Sequence, residues 1–139
     1  MMSAMDEILK LESLSIGYNP GKSSEKLLLK PLDLSVRRGE MLALLGSNGI
    51  GKSTLLRTIA GLQEKIAGEI RLADRPLGDY YRSELARKIS FVFAGTRSAY
   101  NMSVYDVVSL GRFPHTNWLG RLGAPDREMV ERSIYNVGL

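Results

Sequence analysis

The glycine-rich stretch at residues 46–53 constrains the fold of this chain more than any other feature of the sequence. It follows an entirely apolar run, residues 41–45, which is typical of a strand covered on both faces. It precedes residues 52–62, where apolar side chains recur at helical spacing and Gly61 stands near the end. Four of these side chains are predicted to share one face: Leu55, Leu56, Ile59 and Leu62. The order of strand, glycine turn and helix predicts an α/β fold.

The same stretch, GSNGIGKS, fits the pattern G-x-x-x-x-G-K-[ST], whose backbone amides surround a phosphate. Glycines let successive N–H groups converge, and a helix N-terminus favours negative charge. Lys52 places a charge against the β- and γ-phosphates, while Ser53 offers Mg²⁺ the hard oxygen ligand that this ion prefers. The predicted nucleotide-binding residues of this motif are Gly46, Ser47, Asn48, Gly49, Ile50, Gly51, Lys52, Ser53 and Thr54.

The rest of the chain predicts further strands and helices around this core. Period-2 or apolar patterns predict strands at residues 8–18, 32–36, 69–72 and 89–94. Helices are predicted from Asp79 to residue 88, from a capping box of Ser103 and Asp106 to Gly111, and over residues 125–137. The last of these helices is predicted to carry Met129, Val130, Ile134 and Val137 on one face. Because the first part is rich in strands, an antiparallel β segment is expected in front of the α/β core.

Composition excludes several kinds of protein. The chain has no cysteine, which excludes disulfides, zinc–thiolate sites, iron–sulfur clusters and thiol catalysis. Its 19 basic and 15 acidic residues give a net charge of +4, which suits a phosphate ligand but not a nucleic-acid surface. The single histidine, His115, has no cluster of partners that would make a metal site. No signal peptide or membrane span is predicted.

Several segments resemble the ABC-transporter ATPases. Residues 39–62, GEMLALLGSNGIGKSTLLRTIAGL, resemble the Walker A region of that family, and residues 67–77, AGEIRLADRPL, resemble the hairpin that follows it. Residues 11–18, LESLSIGY, are similar to the family's first strand, which implies that Tyr18 stacks on adenine. Residues 103–139 resemble the start of the permease-facing helical subdomain, and the sequence LGRFPH within them is similar to the branch that imports ferric siderophores, haem or cobalamin.

This resemblance implies an organisation and a set of partners. Residues 1–100 would form a nucleotide-binding core and residues 101–139 the start of the helical subdomain, with the C-terminal half of the ABC domain absent. The implied function is ATP binding and hydrolysis that energises import of an iron complex or related metal chelate. The implied partners are Mg-ATP, a transmembrane permease and a second ATPase subunit in a homodimer, without nucleic acid. His115, in a predicted loop, is interpreted as a surface residue or a permease contact. The resemblance also implies a cytoplasmic protein that is peripheral on the inner face of the plasma membrane.

The departures from the family pattern bear on catalysis. Ala94 stands where the Q-loop glutamine is expected, with Thr96 as a nearby polar replacement. No LSGGQ signature, Walker B strand or later switch histidine follows. Asp74 and Glu40 do not fit as Walker B carboxylates, because Asp74 stands in a turn and Glu40 precedes its strand. Since hydrolysis needs a group that positions water, the chain alone is not expected to hydrolyse ATP.

Two other interpretations remain open at this point. A different P-loop enzyme, such as a GTPase or small-molecule kinase, would be expected to show N-K-x-D or an arginine-rich lid; the tetrapeptide is absent, and only Arg112 and Arg121 are available for a lid. A truncated or degenerate binding module without ATPase activity of its own would explain Ala94. In either ABC interpretation, the family places the neighbours of the strand at residues 41–45 in the second half, so exposed apolar surface, low stability or self-association is expected.

Overall fold

The computed structural model describes residues 7–95, 101–116 and 120–139. The strands are β1 (Glu7–Tyr18), β2 (Lys26–Arg37), β3 (Ala67–Leu72) and β4 (Arg75–Pro76). The helices are α1 (Lys52–Ile59), α2 (Arg82–Lys88), α3 (Val104–Leu110) and α4 (Ala124–Asn136), with 3-10 turns at Leu77–Asp79 and Phe113–His115. The chain forms two compact units, one ending at Leu85 and the other beginning at Ala86. The boundary between residues 100 and 101, drawn from the family resemblance, stays a prediction.

The first unit is built on an antiparallel sheet with the strand order β2-β1-β3-β4. The central strand β1 places Leu11 opposite Leu34 of β2 and opposite Ile70 of β3. β1 lies where the sequence predicts it, one residue earlier at its start, whereas β2 extends well beyond residues 32–36 because it pairs along most of β1. The predicted antiparallel β segment is therefore confirmed.

The core of the first unit lies between this sheet and α1. Its buried members are Leu11, Leu14, Ile16, Leu55 and Ile70. Full burial of such a side chain contributes about 1.5–3 kcal/mol, so β1 supplies the largest share. α1 meets the core through Leu55 together with Thr58 and Ile59.

Two members of the apolar face predicted for α1 are exposed, namely Leu56 and Leu62. Neighbouring positions on a helix are about 100° apart, so the side chain after Leu55 points away from the sheet. Leu62 lies beyond the last helical residue, Ile59. The prediction of a single face with four apolar residues is therefore wrong for these two leucines.

The strands predicted at residues 41–45 and 89–94, here called the two unpaired segments, are not strands in the structure. Met41 is 96% and Val92 is 93% exposed, so neither segment is buried as predicted. A strand needs a hydrogen-bonded neighbour, and within residues 7–95, 101–116 and 120–139 every paired strand belongs to the sheet β2-β1-β3-β4. The expected exposure of apolar surface is confirmed.

The second unit contains α3, whose predicted capping box is confirmed. The Asp106 amide donates to the Ser103 hydroxyl at 3.1 Å, and the Ser103 amide donates to the Asp106 carboxylate at 3.0 Å. The Ser103 hydroxyl also donates to this carboxylate at 2.6 Å and, with the amide, holds the pKa of Asp106 below its usual range. Both groups satisfy backbone donors that a helix start otherwise leaves open.

The second unit also contains α4, which α3 contacts. Asp126 accepts from the Gly123 amide at 3.1 Å and from the Arg112 guanidinium at 2.9 and 2.8 Å. The guanidinium hydrogen bond is the main reason why the pKa of Asp126 is lowered. Of the residues predicted to share a face of this helix, Val130 is buried and Met129 is exposed. Val137, where the sequence predicts the helix end, lies just beyond the last helical residue, Asn136.

Candidate functional site

The loop before α1 takes its shape from glycines in the left-handed region of backbone space. Gly49 has φ 83° and Gly51 has φ 109°, backbone angles that residues other than glycine adopt only with strain. Open space surrounds the Cβ position of Gly49, so its backbone angle rather than crowding requires glycine there. Gly51 then begins α1, and its carbonyl accepts the first helical hydrogen bond from the Leu55 amide at 2.8 Å.

The N-terminus of α1 has no side-chain group that neutralises its positive partial charge. No side chain caps it, and its first turn contains no acidic residue. The amide groups and the positive end of the helix dipole are therefore available to an anion. Ser53 is exposed on this first turn, where its hydroxyl is accessible from solvent.

Lys52 brings a positive charge to the same loop. Its ammonium donates to the carbonyl oxygens of Gly46 at 2.6 Å and Ser47 at 2.7 Å. An ammonium group has three protons to donate, so these two hydrogen bonds leave a third for another acceptor. The loop thus holds the positive charge on two of its own carbonyl oxygens, next to the uncapped start of α1, and a positive charge near a helix N-terminus attracts phosphate or another compact anion.

Tyr18 lies at the end of β1, and the structure brings it to the phosphate-loop helix. Its hydroxyl is 3.3 Å from the hydroxyl oxygen of the buried Thr54. The tyrosine is 45% exposed, so part of its ring is accessible. Two residues 36 positions apart in the sequence are therefore neighbours, while the adenine-stacking role of Tyr18 stays a prediction.

Gln63 is a residue near this site that the sequence did not indicate. Its side-chain amide donates to the carbonyl oxygen of Gly17 at 2.8 Å, one residue before Tyr18. Gln63 belongs to no motif, and its partner lies 46 positions away. No local sequence signal could have identified the contact, because it depends on how the segment after α1 packs against β1.

The remaining residues singled out from the sequence lie on the phosphate loop, in turns, in an unpaired segment or outside the described part of the chain. Asn48 and Ile50 are exposed on the loop. Ala94 is exposed in an unpaired segment, and Thr96 lies outside the described residues. Asp74 occupies the turn between β3 and β4 with φ 62°, and the Glu40 carboxylate accepts from the Arg37 amide at 2.7 Å.

In the described ranges, no three or more histidine, aspartate or glutamate side chains form a group that could hold a metal ion. Nor does any helix in those ranges combine the length and apolar character needed to cross a bilayer.

Comparison with known proteins identifies the family. Residues 29–138 match the model of a family described as ABC transporter. The chain belongs to this family. The Petrobactin import ATP-binding protein FpuD of Bacillus anthracis is 30% identical over 97% of the chain and 48% of the relative. The Iron(3+)-hydroxamate import ATP-binding protein FhuC of Bacillus subtilis (strain 168) is 28% identical over 94% of the chain and 47% of the relative.

The structural comparison gives the same result. A solved inward-facing conformation of an ABC transporter assigned to the metal-chelate type is 29% identical, with a TM-score of 0.72 over 96% of this chain and 47% of that one. The chain therefore spans about half the length of the relatives it matches. The predicted family and its P-loop NTPase fold class are confirmed.

Proposed function

We propose that this chain carries the ATP-binding loop of an ABC ATPase subunit that energises import of an iron complex or related metal chelate. The single observation that carries the proposal is the geometry of the loop at residues 46–53. Its glycines adopt left-handed backbone angles, it leads into a helix start without a side-chain cap, and the Lys52 ammonium is held on two of its carbonyl oxygens. Names of relatives that import petrobactin and iron(3+)-hydroxamate support the choice of cargo.

Mg-ATP fits the groups present in the loop. The backbone amides and Lys52 would hold the phosphates, since both offer donors to an anion. The Ser53 hydroxyl is a hard oxygen of the kind that Mg²⁺ accepts. Thr54 and Tyr18 would complete the site toward the base. When bound, Mg²⁺ would neutralise phosphate charge, and the residues of this chain would bind and orient the nucleotide.

ATP hydrolysis by this subunit would need groups beyond the phosphate loop. A carboxylate or amide must position the attacking water, and the two carboxylates considered from the sequence, Asp74 and Glu40, both lie in turns. We propose that these groups belong to the part of the relatives that this chain does not span. The chain alone would then bind nucleotide with little turnover.

The proposed partners follow from the family. A permease and a second ATPase subunit would assemble with the complete subunit at the cytoplasmic face of the membrane. One observation favours a second candidate, a nucleotide-binding module without ATPase activity of its own: Ala94 occupies the position at which the resemblance places a glutamine.

Calorimetric titration tests the nucleotide site. We expect Mg-ATP and inorganic triphosphate to bind, and AMP, which lacks the β- and γ-phosphates, to bind far more weakly. Absence of binding by both triphosphates would refute the site.

The cargo and the ATPase role are tested in the source organism. Inactivation of the gene should abolish growth on a ferric siderophore as sole iron source but not on ferrous salt, and Lys52→Ala should have the same effect. Normal growth of the inactivated strain on the siderophore would contradict the proposed cargo, and normal growth of the Lys52→Ala strain would favour the module without ATPase activity.

A further inference from the structure

We propose that Gln63 is a positioning residue that, together with the Thr54 hydroxyl, holds Tyr18 where its ring can meet the base of a nucleotide. This inference rests on the proposed nucleotide-binding function and deepens it. It assigns a role to a residue that lies outside the phosphate-binding motif.

The backbone at the end of β1 is tightly packed at Gly17. A Cβ on Gly17 would lie 2.0 Å from the carbonyl oxygen of Lys26, the residue that pairs with Tyr18 across β1 and β2. The same Cβ would lie 3.2 Å from the Ile66 side chain. The glycine is thus enclosed between β2 and the segment after α1, and the strand end is packed from both directions.

Gln63 then fixes this strand end from the segment after α1. Its amide donates at 2.8 Å to the Gly17 carbonyl, a partly buried contact in which neither side chain nor backbone carries a charge. The carbonyl belongs to the peptide unit that leads directly into Tyr18. A planar peptide unit transmits the direction of its carbonyl to the next Cα atom, so this hydrogen bond constrains the base of the tyrosine side chain.

The other end of the tyrosine is held by α1 itself. The hydroxyl at the tip of the ring is 3.3 Å from the Thr54 hydroxyl. Thr54 is buried, and its carbonyl accepts from the Thr58 hydroxyl at 2.9 Å, which makes it a firm anchor. Tyr18 is therefore held at one end by α1 and at the other by the segment that follows α1, while 45% of its surface stays exposed.

Such an arrangement reduces the freedom that the aromatic side chain would lose on binding a base. A preorganised group binds more tightly because the cost of ordering it is met during folding. The phosphates, in contrast, would contact the loop at residues 46–53, whereas the hydrogen bonds of Gln63 and of the Tyr18 hydroxyl go to Gly17 and Thr54, outside that loop. Loss of either the Gln63 hydrogen bond or the Thr54 contact should therefore weaken the binding of ATP and leave the affinity for inorganic triphosphate unchanged.

The test is a double-mutant cycle measured by titration with Mg-ATP and with inorganic triphosphate. Gln63→Met keeps the size of the side chain and removes its donor. We expect an ATP affinity lower by about threefold to tenfold, the loss of one hydrogen bond, with triphosphate affinity unchanged. In a Tyr18→Leu background the same substitution should have no further effect on ATP, because it acts through the ring. Lys65→Met, in the same segment, is the control and should change neither affinity.

The outcomes separate this proposal from the function on which it rests. If the unmodified chain binds neither ligand, the nucleotide site itself is refuted. Gln63 is a structural residue, and the inference fails, if Gln63→Met weakens the binding of both ligands equally. The inference also fails if Gln63→Met weakens ATP binding equally in the unmodified chain and in the Tyr18→Leu background. If that variant does not fold, Tyr18→Phe decides: a selective loss of ATP supports the tether, and an unchanged ATP affinity overturns it.

Discussion

Removal of the Lys52 ammonium should separate nucleotide binding from folding. The group donates to the carbonyl oxygens of Gly46 and Ser47 at 2.6 and 2.7 Å, on an exposed loop. It belongs to no part of the buried core, whose member on this helix is Leu55. Lys52→Ala therefore leaves the packing of α1 on the sheet intact and removes only a charge and two exposed hydrogen bonds.

The expected magnitudes differ for the two properties. Because the ammonium and the carbonyl oxygens can bond to water instead, these exposed hydrogen bonds should contribute about 0.5–1.5 kcal/mol to folding, which corresponds to about 2–6 °C in melting temperature for a domain of this size. A hydrogen bond from an ammonium to a phosphate contributes about 1.5–3 kcal/mol, and each 1.4 kcal/mol is about a factor of ten in affinity. Mg-ATP affinity should therefore fall by about 10- to 150-fold while the fold persists.

The assay is a calorimetric titration with Mg-ATP, accompanied by thermal melting of the same sample. Lys65→Ala is the matched control, because it removes the same charge from the same unit. The Lys65 ammonium donates to the Gly68 carbonyl rather than to the loop, so its loss should leave the affinity near that of the unmodified chain. An unchanged affinity in Lys52→Ala, or equal losses in both variants, would refute the assignment of the phosphate loop.

Three further predictions follow from the packing and charges. Gly17→Ala would place a Cβ 2.0 Å from the Lys26 carbonyl oxygen, and this overpacking should cost about 1–3 kcal/mol; an unchanged midpoint in urea unfolding would contradict it. The hydrogen bond from the Ser103 hydroxyl lowers the pKa of Asp106 below its ordinary value of 3.8. The stability that the ionised Asp106 carboxylate adds to α3 is therefore complete above pH 3.8 and is lost as the pH falls through the lowered pKa. Circular dichroism should show this acid loss of helix, and Ser103→Ala should reduce it; an identical acid transition in both proteins would exclude the capping effect. The exposed apolar residues of the two unpaired segments should cause concentration-dependent self-association, and a monomer by light scattering at every concentration would show otherwise.

The two segments at residues 41–45 and 89–94, predicted as strands, show where prediction from the sequence failed. Their apolar composition led to the prediction of strands buried on two faces. Burial and pairing, however, depend on neighbouring strands and covering helices, and in the described ranges no strand pairs with either segment. The same limit applies to Leu56, whose apolar character did not decide which direction of α1 the sheet would cover.

The sequence by itself determined the features that depend on neighbouring residues. The turn through Gly49 and Gly51, the start of α1 and the capping box of Ser103 and Asp106 arise from backbone angles and hydrogen bonds within a few residues. Only the tertiary structure decided that Gln63 bonds to the strand end at Gly17, 46 positions earlier. Contacts of that kind form when separate elements pack together, and no local preference of the chain specifies them.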